Sequence, residues 1–187
     1  MKKTIPAGLL LFVLAASAWG FRGEIGLLYG VRTLKDANLR GVFGSGVVAV
    51  PTITFRVSPT GSVGLSYEAA YKREARVGLF GDLFSLSVSG FELFYRQEWP
   101  TGRLTPYLKI GPGVSMYKIH IDSPFLTAYN VKGNDISFSM ALGLNARIMK
   151  RVFLSAEIKY GVLWVDPFDD RVDLGGFRAV AGLGFGL

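Results

Sequence analysis

The sequence predicts an all-β chain: an eight-stranded, antiparallel, up-and-down transmembrane β-barrel behind a cleavable signal peptide. Three observations predict it. From Phe177 to the end the side chains alternate, with Phe177, Ala179, Ala181, Leu183, Phe185 and Leu187 on one face and Arg178, Val180, Gly182, Gly184 and Gly186 on the other. Period-two alternation marks a strand, and an apolar face backed by glycine suits lipid outside and a crowded interior within. Second, 50% of the residues are hydrophobic, yet beyond the leader no apolar run approaches the ~20 residues of a spanning helix. Lipid admits only helices and closed sheets, because the backbone polar groups must be satisfied internally. Third, the connectors between alternating segments run long, short, long, short, long, short, long, the rhythm of a barrel with short turns at one rim and longer loops at the other.

The chain opens MKKTIPAGLLLFVLAASAWG: Lys2 and Lys3, an apolar core, then small residues at Ala16, Ala18 and Gly20. That is the layout of a secretory leader, expected over residues 1–20 with cleavage after Ala18 or Gly20, leaving 21–187 as one barrel domain. The chain has no cysteine, so it relies on no disulfide even where one could form. Of the formal charge of +7, Lys2 and Lys3 belong to the leader, and export makes nucleic acid a poor partner for the remaining basic balance.

In order, the first strand is expected over Glu24 to Arg32, with Ile25, Leu27, Tyr29 and Val31 opposite Gly26, Leu28, Gly30 and Arg32. The second covers Val47 to Val57 and ends in the tight turn Ser58-Pro59-Thr60-Gly61, where proline presets φ and glycine admits positive φ. The third is Ser62 to Lys72, followed by a loop from Arg73 to Asp82. The fourth, Leu83 to Trp99, changes parity between Val88 and Phe91, which predicts a β-bulge near Ser89-Gly90. After the Pro100-Thr101-Gly102 turn come the fifth strand, Thr105 to Ile121, a long loop from Asp122 to Asn134, and the sixth strand, Asp135 to Ile148. A Met149-Lys150-Arg151 turn leads to the seventh strand, Val152 to Trp164, and the connector Val165 to Asp173 to the closing one. Pro51 and Pro112 fall inside strands, where a closed barrel has no edge for a missing donor. Gly111-Pro112-Gly113 suggests a kink; Pro51 has no such signal.

The polar parity collects Arg32, Arg56, Glu68, Lys72, Glu92, Arg96, Lys109, Arg147, Glu157, Lys159 and Arg178. Arg or Lys facing lipid at the midplane costs about 2–4 kcal/mol, so this face is the lumen. A soluble barrel of the lipocalin kind would have the reverse arrangement. Lumenal carboxylates need partners, and Glu92–Lys109 and Glu157–Arg178 are the pairs expected across the turn and the last loop. Outward aromatics fall at strand ends: Phe55, Tyr95, Trp99 and Phe185 near one rim, Tyr71, Phe84, Phe138 and Trp164 near the other.

With the leader, the strand rhythm, the segment PYLKIGPGVSMY from Pro106 and the closing strand, the chain resembles the small eight-stranded outer-membrane barrels of the OmpA/OmpX type. The resemblance covers the whole mature chain. It implies a monomer in the outer membrane of a bacterium, in contact with its lipid, with periplasmic termini and a structural, anchoring or surface-interaction role. It also implies a terminal signal, matched by Gly182, Phe185 and Leu187, that the barrel-assembly machinery reads during biogenesis. The final leucine stands where an aromatic is typical, and Val180 where a polar residue is usual.

Other chemistries were weighed. A narrow channel for small solutes with a weak anion preference is the alternative, because lumenal Arg and Lys outnumber Glu, but eight strands leave room for little more than side chains. His120, the one histidine, lies near Asp122 and Ser123, yet the His-x-Ser spacing of barrel deacylases is absent, so no enzyme is expected. Asp166, Asp169, Asp170 and Asp173 match no calcium loop and read as a solvated tip. The Gly-x-Gly pairs at Gly111 and Gly182 follow no phosphate-loop layout. No cofactor or metal is expected.

Overall fold

The computed structural model describes residues 23–77, 81–123, 126–166 and 171–187. The leader and the Asp169-Asp170 pair lie outside the described residues. The strands are β1 (Gly23–Leu34), β2 (Ser45–Arg56), β3 (Gly61–Val77), β4 (Asp82–Glu98), β5 (Leu104–Ser123), β6 (Leu126–Arg147), β7 (Val152–Val165), β8 (Val172–Asp173) and β9 (Gly176–Gly186). β1 to β7 pair antiparallel in sequence order, and β9 pairs with both β7 and β1, which closes a ring of eight. The two-residue β8 stands outside the ring, paired with Trp164 and Val165. Closure gives every strand of the ring a partner on each side, as a wall in lipid requires, although the β2–β3 ladder is short.

The inside-out pattern follows the sequence parity. Leu27, Leu93, Leu142 and Leu183 face outward, 56–64% exposed, whereas Lys109, Glu157 and Arg178 face inward, no more than 3% exposed. Inward aromatic rings lie over inward glycines of the neighbouring strand: Phe94 over Gly64, Tyr107 over Gly143, Tyr117 over Gly133 and Phe153 over Gly184. A side chain at any of these glycines would occupy the volume of the ring.

The two rims differ. Gly23, Leu187 and the connections β2–β3, β4–β5 and β6–β7 share one rim, where the turns are tight. At the other, β1 and β2 are joined through the short helix α1 (Ala37–Phe43), capped by the Asp36 carboxylate, which accepts from the N–H groups of Asn38 and Leu39. Phe43 at its end packs into an apolar cluster with Leu34, Val48, Tyr71, Leu86 and Leu163, which fills the lumen at that rim.

Two expected loops are strands instead. Arg73 to Val77 continues β3, and β5 and β6 stay paired up to Ser123 and Leu126. Beyond the bilayer the outward positions, such as Lys118, His120 and Lys132, no longer need to be apolar, so the lipid-facing signal stops while the ladder goes on. The register change also lies elsewhere than expected. β4 keeps one parity throughout, with Leu86, Val88, Glu92 and Arg96 all inward, so there is no bulge at Ser89-Gly90. The irregularity is in β3, between Glu68 and Tyr71. As a result Tyr71, expected outward, is fully buried, and Lys72, expected in the lumen, points out. Phe84 turns inward against the apolar cluster as well.

Both prolines have an account. The carbonyl of Ile53 lies against Gly64 of β3, so odd-numbered positions of β2 bond toward β3. The β2–β3 ladder ends at Thr52 and Ser66, and Pro51 is the next such position, where no donor is called for. Past it the two strands are joined by side chains: the Tyr71 hydroxyl donates to the Gly44 carbonyl at 3.0 Å, and Arg73 to the Ser45 carbonyl. The β4–β5 ladder skips from Glu92–Gly113 to Tyr95–Ile110 with no change of register, and Pro112 stands in the gap.

Because the chain lacks cysteine, single-cysteine labelling tests the bulge directly. In detergent, Lys72→Cys is expected to react quickly with a water-soluble maleimide and Leu86→Cys to resist it. The opposite order would return the bulge to β4.

Candidate functional site: the charged lumen

Five inward cations lie along one register row. Arg96 of β4 faces Lys109 of β5, Lys109 faces Ala141 of β6, and Ala141 faces Lys159 of β7. Lys159 then faces Arg178 of β9, and Arg178 faces Arg32 of β1. Like charges opposite one another on adjacent strands repel, so such a row persists only with anions threaded through it.

Three glutamates thread it. Arg32 bonds Glu68 at 2.5 Å, Glu68 bonds Arg178 at 2.8 Å, and Arg178 bonds Glu157 at 2.6 Å. Glu157 lies 3.4 Å from Lys109, Lys109 lies 3.7 Å from Glu92, and Glu92 bonds Lys159 at 2.7 Å. The two pairs expected from the sequence, Glu92–Lys109 and Glu157–Arg178, are therefore links of one alternating chain. Other lone pairs are used as well: Glu92 accepts from the hydroxyls of Ser66, at 3.1 Å, and Ser139, and Glu157 accepts from the Tyr107 hydroxyl at 3.3 Å. The Lys109 ammonium also lies 4.3 Å from the centre of the Phe94 ring. Buried ions are costly unless their remaining bonds are made; here most are, but the Nε of Arg96 and of Arg178 is buried with no partner among the described residues.

A second chain lines the mouth beside the termini. Arg56 bonds Glu98 at 2.9 Å, and Arg96 bonds Glu98 and Glu24 at 2.5 Å each. The sequence reading assigned neither glutamate to the lumen, although Glu98 shares parity with Glu92 and Arg96 and so carried the signal. Arg147 belongs to neither chain: it is exposed at the rim and has no ion pair among the described residues. A cavity of about 320 Å³ opens at the mouth beside Glu24, Arg56 and Arg147, but between the ion pairs deeper in the described lumen the cavities shrink to about 20, 30 and 50 Å³, room for a few waters.

No protein-family profile matches the sequence, and no curated protein matches it by sequence. Solved structures do match by shape. OprG from Pseudomonas aeruginosa aligns with a TM-score of 0.66 at 12% identity, over 89% of this chain and 96% of that one. Neisserial surface protein A aligns at 0.56 and 17% identity, over 89% and 96%. Ail, the attachment invasion locus protein of Yersinia pestis, aligns at 0.57 and 12% identity, over 89% and 99%. The fold is that of the small eight-stranded outer-membrane barrels.

In this outer-membrane-type barrel the other singled-out residues are spread out. Gly182 faces inward, where a Cβ would collide with the Leu27 carbonyl; Phe185 faces outward, 44% exposed; and the Leu187 N–H donates to the Gly23 carbonyl at 2.8 Å. His120 lies on the outward face of β5, its Nδ1 2.6 Å from the Asn130 side-chain oxygen, with Asp122 farther along the same face. Tyr95, Trp99, Phe138 and Trp164 face outward, as expected. Among the described residues no cluster of acids and histidines could hold a metal.

Asp173 fastens the loop rim. Its carboxylate accepts from the N–H groups of Leu163, at 3.1 Å, and Gly175, at 2.8 Å, and from Lys35 at 2.9 Å. Burial pushes the Asp173 carboxyl up, but those donors outweigh it and hold the group below the usual carboxylate range. The Asp173 bond in turn raises the Lys35 ammonium.

Two outcomes follow from this geometry. Glu157→Gln leaves Lys109 and Arg178 short of a buried partner and is expected to cost about 3–5 kcal/mol. Arg56→Gln, at a pair one-third exposed on the arginine side, is expected to cost about 1 kcal/mol or less; unfolding temperatures of the detergent-folded variants check the order. At the loop rim, a depressed acid contributes stability above its unfolded pKa of about 3.9 and loses it as pH falls through the lower folded value. The protection of the Leu163 and Gly175 amides, measured as exchange relative to the intrinsic rate at each pH, is therefore expected to fall below about pH 4, and Asp173→Asn to abolish that step.

Proposed function

We propose that the chain is a bacterial outer-membrane anchor whose closed barrel holds the loop rim at the cell surface for contact with outside partners, and that it conducts no solute. The observation that carries this reading is the lumen itself, crossed by an alternating chain of seven charged side chains and capped by apolar packing around Phe43 and Tyr71. Opening a path would mean separating buried ion pairs. The tight turns on the termini side and the longer strands and helix on the other support periplasmic termini. The Ail resemblance, to a protein named for attachment and invasion, supports a surface role by fold analogy alone. The outward apolar wall supports a monomer in lipid. In this reading Gly182, Phe185 and Leu187 are what the assembly machinery engages, and His120 has no catalytic part.

The test is conductance. The mature chain, reconstituted in planar bilayers, is expected to give no discrete steps, and Glu157→Gln combined with Glu92→Gln, which breaks the ion-pair chain, to leak. Stable steps from the unaltered chain, with anion preference, would replace the anchor by a narrow channel.

A further inference from the structure

The β3 irregularity has a consequence on the outer wall. By turning Lys72 outward it places that residue on a register row with Ser87, Lys118 and Lys132: Lys72 faces Ser87, Ser87 faces Lys118, and Lys118 faces Lys132. All three lysines are exposed. Lys118 and Lys132 are direct neighbours on adjacent strands, about 5 Å apart at the backbone, an arrangement that repels unless an anion lies between them. Among the described residues neither has an ion pair; Lys72 has one, to Glu74 at 3.3 Å, with both side chains more than half exposed.

The height of this row gives the anion its character. From Leu104 to Met116 the outward positions of β5 are apolar or proline, roughly 40 Å of strand and about 30 Å of height at a tilt of about 40°. The outward row Tyr67–Phe91–Val114–Ile136 comes first, then Ser89–Met116–Asn134, then the lysines. The lysines therefore stand two outward rows above the last fully apolar row, with the mixed row of Ser89, Met116 and Asn134 between, at headgroup level in the leaflet on the loop side. The next row holds Glu74, Ser85, His120 and Asn130, and Arg76 and Asp122 stand above it. An occupant must put negative charge at the lysines and acyl chains against the wall just below.

We propose that Lys118 and Lys132, with Lys72 beside them, form a binding site for the phosphate groups of a phosphorylated lipid in the loop-side leaflet. The site rests on the membrane-spanning reading above. Phosphate accepts several charge-assisted hydrogen bonds at once, and lysine ammonium groups on flexible stems can converge on it from two strands. The ordered lipid then relieves the repulsion between the two lysines and welds β5 to β6 where they leave the membrane.

Native mass spectrometry of the mature chain, released from a mild uncharged detergent, tests this. The probes are an acylated diglucosamine carrying two phosphates and the same lipid with its phosphates removed. The unaltered chain is expected to retain the phosphorylated form, and Lys118→Gln combined with Lys132→Gln to retain it about tenfold less. Lys150→Gln combined with Arg151→Gln, at the opposite rim, should bind as the unaltered chain does. Unchanged retention by the Lys118/Lys132 variant, equal retention of both lipids, or an equal loss in the Lys150/Arg151 variant would each overturn the site while leaving the barrel in lipid. Retention of neither lipid by the unaltered chain would overturn the site, whereas a folded chain that stays monodisperse without detergent would overturn the membrane-spanning reading.

Discussion

A row of like charges wound around the inside of a closed sheet is unstable by itself, and much of this barrel is arranged to answer it. Arg96, Lys109, Lys159, Arg178 and Arg32 follow one another along the register, interrupted only by Ala141. The carboxylates of Glu68, Glu92 and Glu157 come from positions off that row and bridge its members. Because each carboxylate serves cations on two strands, the ion pairs tie the wall together across the lumen as well as along it. Serine hydroxyls and one tyrosine add further bonds to the carboxylates.

The lumen is thus divided by chemistry. Ion pairs occupy its middle and the mouth beside the termini, and apolar side chains close the loop rim. Glycine sets the fit between the two regions, because the rings of Tyr71, Phe94, Tyr107, Tyr117 and Phe153 lie where a neighbouring strand lacks a side chain. A barrel of eight strands has an interior just wide enough for such filling. The same strands that carry charge inward carry leucine, isoleucine and valine outward, so one alternation serves both solvents.

Much of this was legible in the sequence, because lipid on one face and charge on the other gives alternation its strongest contrast. Strand number, direction, closure and the inward face of Glu92, Lys109, Glu157 and Arg178 all follow from that contrast. It fades where both faces are of one kind. Leu86 and Val88 are apolar side chains directed into an apolar part of the lumen, so they imitated an outward face and drew the bulge into the wrong strand. Above the membrane, Lys118 and Lys132 are polar residues directed outward, so a continuing ladder read as a loop. Pro51 looked forbidden because the end of the β2–β3 ladder beside it has no mark in the local sequence; it depends on the irregularity in another strand. Glu98 was overlooked among its neighbours, although its parity was correct.

The account depends most on charge facing in and leucine facing out. Depth-sensitive quenching measures that directly, because the chain has only three tryptophans to replace, Trp19, Trp99 and Trp164. In a Trp19→Phe, Trp99→Phe, Trp164→Phe background, a single tryptophan is placed at Leu142, which faces outward, or at Tyr107, which faces the lumen beside Glu157. The folded proteins are reconstituted in vesicles whose acyl chains carry bromine. Strong quenching of Leu142→Trp with little quenching of Tyr107→Trp is the predicted result. Equal quenching at the two positions, or the reverse order, would contradict it.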